Sequence, residues 1–236
     1  MATILRTWSY RYPWLYSGIT KLTAIAVGGE GHLRRLALQS LDIQPETEVL
    51  DLCCGHGPVT EVLVQQSRHV TGLDASPKAI ASAQARLPQA KFVQAFAESM
   101  PFKDGSFDLV HTSLALHEMQ PDQRRKILTE VRRILKPTGI FALLDFHQPT
   151  TPILWPGLAL FLWLFETETA WDLVRSNLAE ELTQAGFALQ NQSYRVGGSL
   201  QILQAQVLQA QILQAQILQA QVLQAQILQA QTMDDA

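Results

Sequence analysis

Two glycines and two acids decide what chemistry this chain can do. An apolar run ends in Asp51, turns through Cys53-Cys54-Gly55-His56-Gly57 and reaches Pro58, and a second apolar run ends in Asp74. Glycine has no Cβ, so the backbone at Gly55 and Gly57 can turn tightly and come close to a ligand. Pro58 suits the first turn of a helix, where its missing N–H costs nothing. Unpaired N–H groups at that helix start face the same ligand. Asp74, at the carboxyl end of the next strand, is placed to accept hydrogen bonds from both hydroxyls of a ribose. The spacing selects a ribose without saying which one.

Two further residues divide the candidate cofactors. A dinucleotide fingerprint reads G-x-G-x-x-G, and Thr60 stands where its third Gly belongs. Asp51, ahead of the loop, would repel a pyrophosphate and suits the ammonium group of S-adenosylmethionine. That molecule is therefore expected in preference to NAD. A plain strand-to-helix turn is the alternative without a ligand, and it leaves the coincidence of glycine pair, leading acid and trailing acid unexplained.

The elements that must position these residues alternate from Glu48 onward. Apolar patterning predicts strands over 49–53, 70–74, 92–95, 109–113 and 140–146, with helices starting at 59 and 77 and spanning 122–135, and a turn at 136–139. Two final strands, 187–195 and 199–205, flank Gly197-Gly198. Strands alternating with helices give an α/β, doubly wound, mostly parallel sheet that binds ligands at the carboxyl ends of its strands. Asp51, Asp74, Ser113, His117, Asp145 and His147 should then lie near one another. Ahead of this domain (45–207), residues 1–44 read as an N-terminal helical cap over the cleft, with helix-like spacing over 19–26 and 33–41. After it, residues 208–236 form a low-complexity tail.

Composition sets bounds. The 236 residues are enough for one domain with a substantial core. A net charge of -3 gives no electrostatic reason to expect nucleic acid. The two cysteines are adjacent, which leaves neither a disulfide framework nor a metal-ligand pair and suits a reducing cytoplasm. Arg6 and Arg11 interrupt any apolar run at the N-terminus, unlike a signal peptide. Residues 153–165, ILWPGLALFLWLF, carry no charge but are short of the roughly 20 that span a bilayer. They form a buried lid element, a wall for a lipophilic substrate, or a surface in peripheral contact with a membrane. From 201 to 230 the chain repeats Q-[IV]-L-Q-A six times. Five residues advance about 140° around a helix, so no apolar stripe forms. The tail reads as a dispensable appendage or a self-association element, and its first unit belongs to the last strand of the fold.

Taken together, the motifs resemble class I S-adenosylmethionine-dependent methyltransferases, and among them the ubiquinone/menaquinone biosynthesis C-methyltransferase family. RYPWLY at 11–16, VLDLCCGHG at 49–57, AESMPFKDGSFDLV at 97–110, EVRRILKPTG at 130–139 and LLDFHQP at 143–149 carry the likeness in order. The resemblance implies a seven-stranded Rossmann-like methyltransferase fold. It places the amine and carboxylate of the cofactor against Asp51, Cys53, Gly55, His56 and Gly57, and the ribose on Asp74. Adenine is placed between Ala75 and the Phe96-Ala97 pair, with Ser113 beneath the methionine end. Phe96 stands where the family has an Asp or Asn that bonds the adenine amine, and offers an aromatic face instead. LALHEM at 114–119 is unlike the quinone enzymes' own segment.

Methyl transfer from a sulfonium is a direct displacement, so the protein's main task is alignment. For a hydroquinone acceptor, a base that removes a phenolic proton would raise reactivity. His117, Asp145 and His147, at strand ends, are the candidates, each with a structural alternative as helix-start, capping or loop residue. His111, within a strand, reads as a core histidine. Three functions follow: a methyltransferase for a lipophilic acceptor such as a prenylated quinol, one for a soluble metabolite, or a catalytically silent binding protein whose working part is the tail.

Overall fold

The computed structural model describes residues 28–208 of the chain. The helix expected over 19–26, most of the cap, and the repeats from 209 onward lie outside the described residues.

Among the described residues, seven strands form one sheet. β1 (Glu48–Leu52), β2 (His69–Asp74), β3 (Lys91–Gln94), β4 (Phe107–Ser113), β5 (Leu135–Phe146), β6 (Phe187–Arg195) and β7 (Leu200–Val207) lie in the order β3-β2-β1-β4-β5-β7-β6. The first five pair in parallel, and β7 runs antiparallel between β5 and β6. The order reverses between β1 and β4, which opens a crevice at the carboxyl ends of those strands. Among the described residues the helices are α1 (Glu30–Leu33), α2 (Thr60–Leu63), α3 (Pro77–Arg86), α4 (Pro121–Ile134), α5 (Trp155–Phe165), α6 (Glu168–Arg175) and α7 (Leu178–Gln184).

Both faces of the sheet are buried, which is why the strands read as apolar runs. On β5, Phe141 and Leu143 join one core with Ile127 and Val131 of α4 and Leu182 of α7. Ala142, Leu144 and Phe146 alternate into a second core with Val62 of α2, Leu162 of α5 and Val174 of α6.

Two expectations change. The spacing over 33–41 does not make one helix: α1 is followed by a short 3-10 turn, Leu36–Leu38, and Ser40 has a φ of 64°. Leu36, Ala37 and Leu38 are buried in the second core. The Gln204 amide donates to the carbonyls of Ala37 and Gln39 at 2.9 and 2.8 Å. This part of the expected cap therefore lines a face of the sheet. Similarly, 136–139 is not a separate turn but a bulge within β5, which starts directly after α4. Register passes from Phe107↔Leu135 to Leu109↔Ile140, and Lys136 anchors the excursion on Asp108 at 2.8 Å. Pairing also extends slightly past 207, because buried Leu208 donates its N–H to the Gly186 carbonyl.

Candidate active site

The glycine loop is built from β1 and closed by β2. Cys54 donates its N–H to the Leu73 carbonyl and Gly57 donates to Cys54, so the chain reverses within four residues. Gly55 and Gly57 have φ of 54° and 81°, where a side chain strains the backbone. At Gly57 a Cβ would also lie 3.0 Å from Leu87 Cδ1, whereas at Gly55 it would meet nothing within 4 Å. Gly55 thus leaves the backbone bare toward the crevice.

Asp74 holds this loop. One carboxylate oxygen accepts the Gly55 N–H at 2.9 Å and the other the Ser76 N–H at 2.8 Å. A carboxylate has about four lone-pair sites, so acceptor capacity remains for two ribose hydroxyls. Asp51 does different work. It is buried, accepting the Thr60 hydroxyl at 2.6 Å on one oxygen and meeting His111 Nδ1 at 3.0 Å on the other. Both partners come from the protein itself and tie the end of β1 to α2 and β4 beneath the loop. Thr60, in the position of the missing glycine, pins the start of α2 to β1. His111 is the core histidine its strand position suggested.

The other expected contacts surround Asp74 and the loop. The exposed His56 offers its carbonyl to Arg86 of α3 at 2.9 Å. Cys53, at φ 58°, is partly buried. Burial first, then the carboxylates of Asp74 and Asp51, push its thiol up to about 12, so it stays protonated at neutral pH. Ala75 follows Asp74 directly, and the Ala95 N–H bonds the Asp74 carbonyl across the end of β3. Phe96 comes next, 69% exposed, with Ala97 buried behind it. Two motifs read separately in the sequence clamp this stretch. Glu130 accepts the Met100 N–H at 2.8 Å, and Arg133 reaches Glu130, Asp104 and the carbonyls of Met100 and Phe102. Ser113 closes β4 opposite Leu144.

His117 and Asp145 form a buried cluster. Asp145 accepts N–H groups from Leu116, His117 and Phe146, and His117 Nδ1 lies 2.8 Å from it. The other ring nitrogen is 3.7 Å from Glu166, a residue that no sequence pattern singles out. Desolvation lowers the His117 pKa, but Asp145 and Glu166 outweigh it, so the net shift is upward. With acids at both ring nitrogens, the protonated form of His117 is favoured over the neutral one. Its expected role as a base is poorly served by this geometry, as is that of Asp145, which is spent on four donors. His147 lies apart from the pair. Its Nδ1 is 3.0 Å from the Gly198 carbonyl and its ring packs on Tyr194. A carbonyl only accepts, so Nδ1 carries a proton, and in the neutral ring the lone pair is on Nε2. Phe146 links these regions: its ring contacts those of His117 and Phe161. It also lines a cavity of about 250 Å³ beneath α5, whose walls include Leu158, Phe161, Val196 and Leu200.

A strand-order reversal at β1–β4, with a bare glycine turn held by an acid at the end of the next strand, is the ligand-binding arrangement of the doubly wound class. Comparison with known proteins narrows this. A family described as "Methyltransferase domain" matches residues 49–139. The chain is 53% identical over 206 residues to an uncharacterized methyltransferase of Synechocystis sp., covering 87% of this chain and 97% of that one. It is 35% identical over 120 residues to a demethylmenaquinone methyltransferase of Thermotoga maritima, a match spanning about half of each chain (50% and 51%). Among solved structures, an S-adenosylmethionine dependent methyltransferase from Mesorhizobium loti superposes with a TM-score of 0.58 at 20% identity. That match covers 72% of this chain and 95% of that one, and shows the shared fold. The chain belongs to the S-adenosylmethionine-dependent methyltransferases, and S-adenosylmethionine is its cofactor.

Proposed function

We propose that this methyltransferase acts on a small lipophilic acceptor such as a prenylated quinol. The observation that carries the reading is the cavity beneath α5, walled by Phe146, Leu158, Phe161 and Leu200 next to the end of β5. The partial likeness to demethylmenaquinone methyltransferases supports the same acceptor class.

Bound in the crevice, the cofactor supplies a methyl group on a positively charged sulfur. The chain's own residues do the rest. Gly55, His56 and Gly57 cradle the methionine end with Cys53 and Ser113 beside it, and Asp51 fixes that loop from below. Asp74 holds the ribose, while Ala75, Phe96 and Ala97 flank the adenine. The Asp145–His117–Glu166 cluster orients residues 114–119, and His147 Nε2 takes a phenolic proton from the acceptor, which makes the ring a better nucleophile. Beside the cavity, Ile153, Leu160 and Trp163 are 82%, 56% and 65% exposed. We assign them to peripheral contact with the cytoplasmic surface of a membrane, from which the acceptor enters. No helix among the described residues is long and apolar enough to cross a bilayer.

Transfer of a labelled methyl group to detergent-solubilised prenylated quinol, to the same head group without its chain, and to soluble phenols and amines tests this reading. Burial of a prenyl unit predicts at least about a tenfold preference in kcat/KM for the prenylated acceptor. Equal rates, or a preference for soluble acceptors, would assign the enzyme to a soluble metabolite.

A further inference from the structure

The fold and the repeat meet at β7. This strand is the first Q-[IV]-L-Q-A unit with the opening residues of the second, and its slot between β5 and β6 reads each of its side chains. Leu203 and Ala205 enter one core and Leu200 and Ile202 the other. The glutamines are used as fully as the apolar residues. Gln201 donates to the Phe146 carbonyl at 2.9 Å, Gln204 to Ala37 and Gln39, and Gln206 to Thr138 at 3.1 Å. Buried amides are tolerated only when paired in this way.

The same seven-residue pattern, Q-[IV]-L-Q-A-Q-[IV], starts again at 206, 211, 216 and 221. Each copy carries a glutamine wherever the slot offers a carbonyl and an aliphatic residue wherever it offers a core. One position differs. Leu200, 4% exposed, precedes the native unit, whereas Ala205, Ala210, Ala215 and Ala220 precede the others. Among the side chains of β7, only this buried leucine distinguishes the native register from that of a later unit, and truncating such a side chain to alanine is costly in a core.

We propose that the C-terminal repeat is a reserve of β7 strands, and that its partner is the β7 slot of a second copy of this chain. Within one molecule, a later unit reaches the slot only by lengthening the Val196–Gly198 connection by a multiple of five residues. A unit from a second copy meets no such constraint, and its donor keeps its own β7 docked. Exchange of this kind joins unlike surfaces and builds open chains of molecules. It sets in when the slot is empty, during folding, and Leu200 holds it in check afterwards.

Disulfide trapping tests the assignment. Ser193 of β6 faces Ile202 in the native register, and Ile212 is the equivalent residue two units later. Full-length Ser193→Cys and Ile212→Cys chains, unfolded together in urea and refolded with oxidised glutathione, should give a disulfide-linked dimer on a non-reducing gel. Adding Leu200→Ala to the Ser193→Cys chain should raise its yield several-fold. The double variant Ser193→Cys/Ile202→Cys should close within a single chain and marks the native register. Absence of the mixed dimer in both backgrounds, while that control closes, would overturn the proposal. So would an equal yield of dimer from the Ile212→Cys chain alone, because the tail would then be pairing with tail.

Discussion

Asp145→Asn isolates the buried charge cluster with almost no change of volume. The carboxylate accepts Leu116 and His117 N–H groups on one oxygen, and the Phe146 N–H and His117 Nδ1 on the other. The amide keeps one acceptor oxygen and turns its NH2 toward donors, so at least one bond is lost and the imidazolium loses the nearer of its two acids. Breaking a buried pair from one side costs about 3–5 kcal/mol. For a chain of this size each kcal/mol shifts Tm by about 2–4 °C, so at about 4 kcal/mol the variant should melt roughly 8–16 °C below the parent. The pH dependence carries a separate signature. The folded-state pKa of His117 lies above its unfolded value of 6.5. Its stabilisation is therefore complete below pH 6.5 and lost as pH rises through the folded pKa. Urea unfolding followed by circular dichroism between pH 6 and pH 9 should show this decline in the parent and not in His117→Gln. An Asp145→Asn variant within about 1 kcal/mol of the parent, or an undiminished pH slope in His117→Gln, would refute the assignment of a buried His117–Asp145 ion pair.

Three further outcomes follow from the geometry. Asp74→Ala removes two charge-assisted bonds to the ribose, each worth about 1.5–3 kcal/mol, so calorimetry with S-adenosylhomocysteine should show affinity falling by about 10²–10⁴ while the fold persists; near-parental affinity would break the ribose assignment. Gly72→Ala places a Cβ 2.7 Å from the Phe92 ring and 2.9 Å from Cys54 Sγ. Overpacking beneath the loop should lower stability by about 1–3 kcal/mol in urea, and an unchanged midpoint would count against the tight packing of β2 on β3. Truncation after Leu208 should leave Tm and methyl-transfer rate unchanged, whereas a large loss of either would show that the tail packs on the domain.

The sheet was legible because both its faces are buried, so β1, β2, β4 and β5 stand out as apolar runs with little competing signal. The loop was legible because Gly55, Gly57 and Asp74 are close in sequence and each has a local reason for its type. Roles that depend on tertiary pairing were not. The pairing of Asp51 with Thr60 and His111 could not be read locally, and the identity of Thr60 had seemed only the absence of a glycine. Glu166 follows an apolar helix with no pattern around it, and only the packing of the α5–α6 junction brings it to His117. The bulge at 136–139 read as a turn because Pro137 and Gly139 mark one locally, while the pairings of β5 on either side pass through it. In the 33–41 segment, apolar spacing suggested a helix, but Gln204, distant in sequence, supplies bonds to backbone carbonyls there.

Ligand-induced thermal stabilisation of the full-length protein tests most directly the claim that the Gly55–Asp74 crevice is an S-adenosylmethionine site. With S-adenosylhomocysteine at about a thousandfold over a micromolar Kd, linkage predicts about 4 kcal/mol of added stability. Tm should therefore rise by several degrees, with no rise for NAD at the same concentration. A rise with NAD, or none with S-adenosylhomocysteine, would contradict the account.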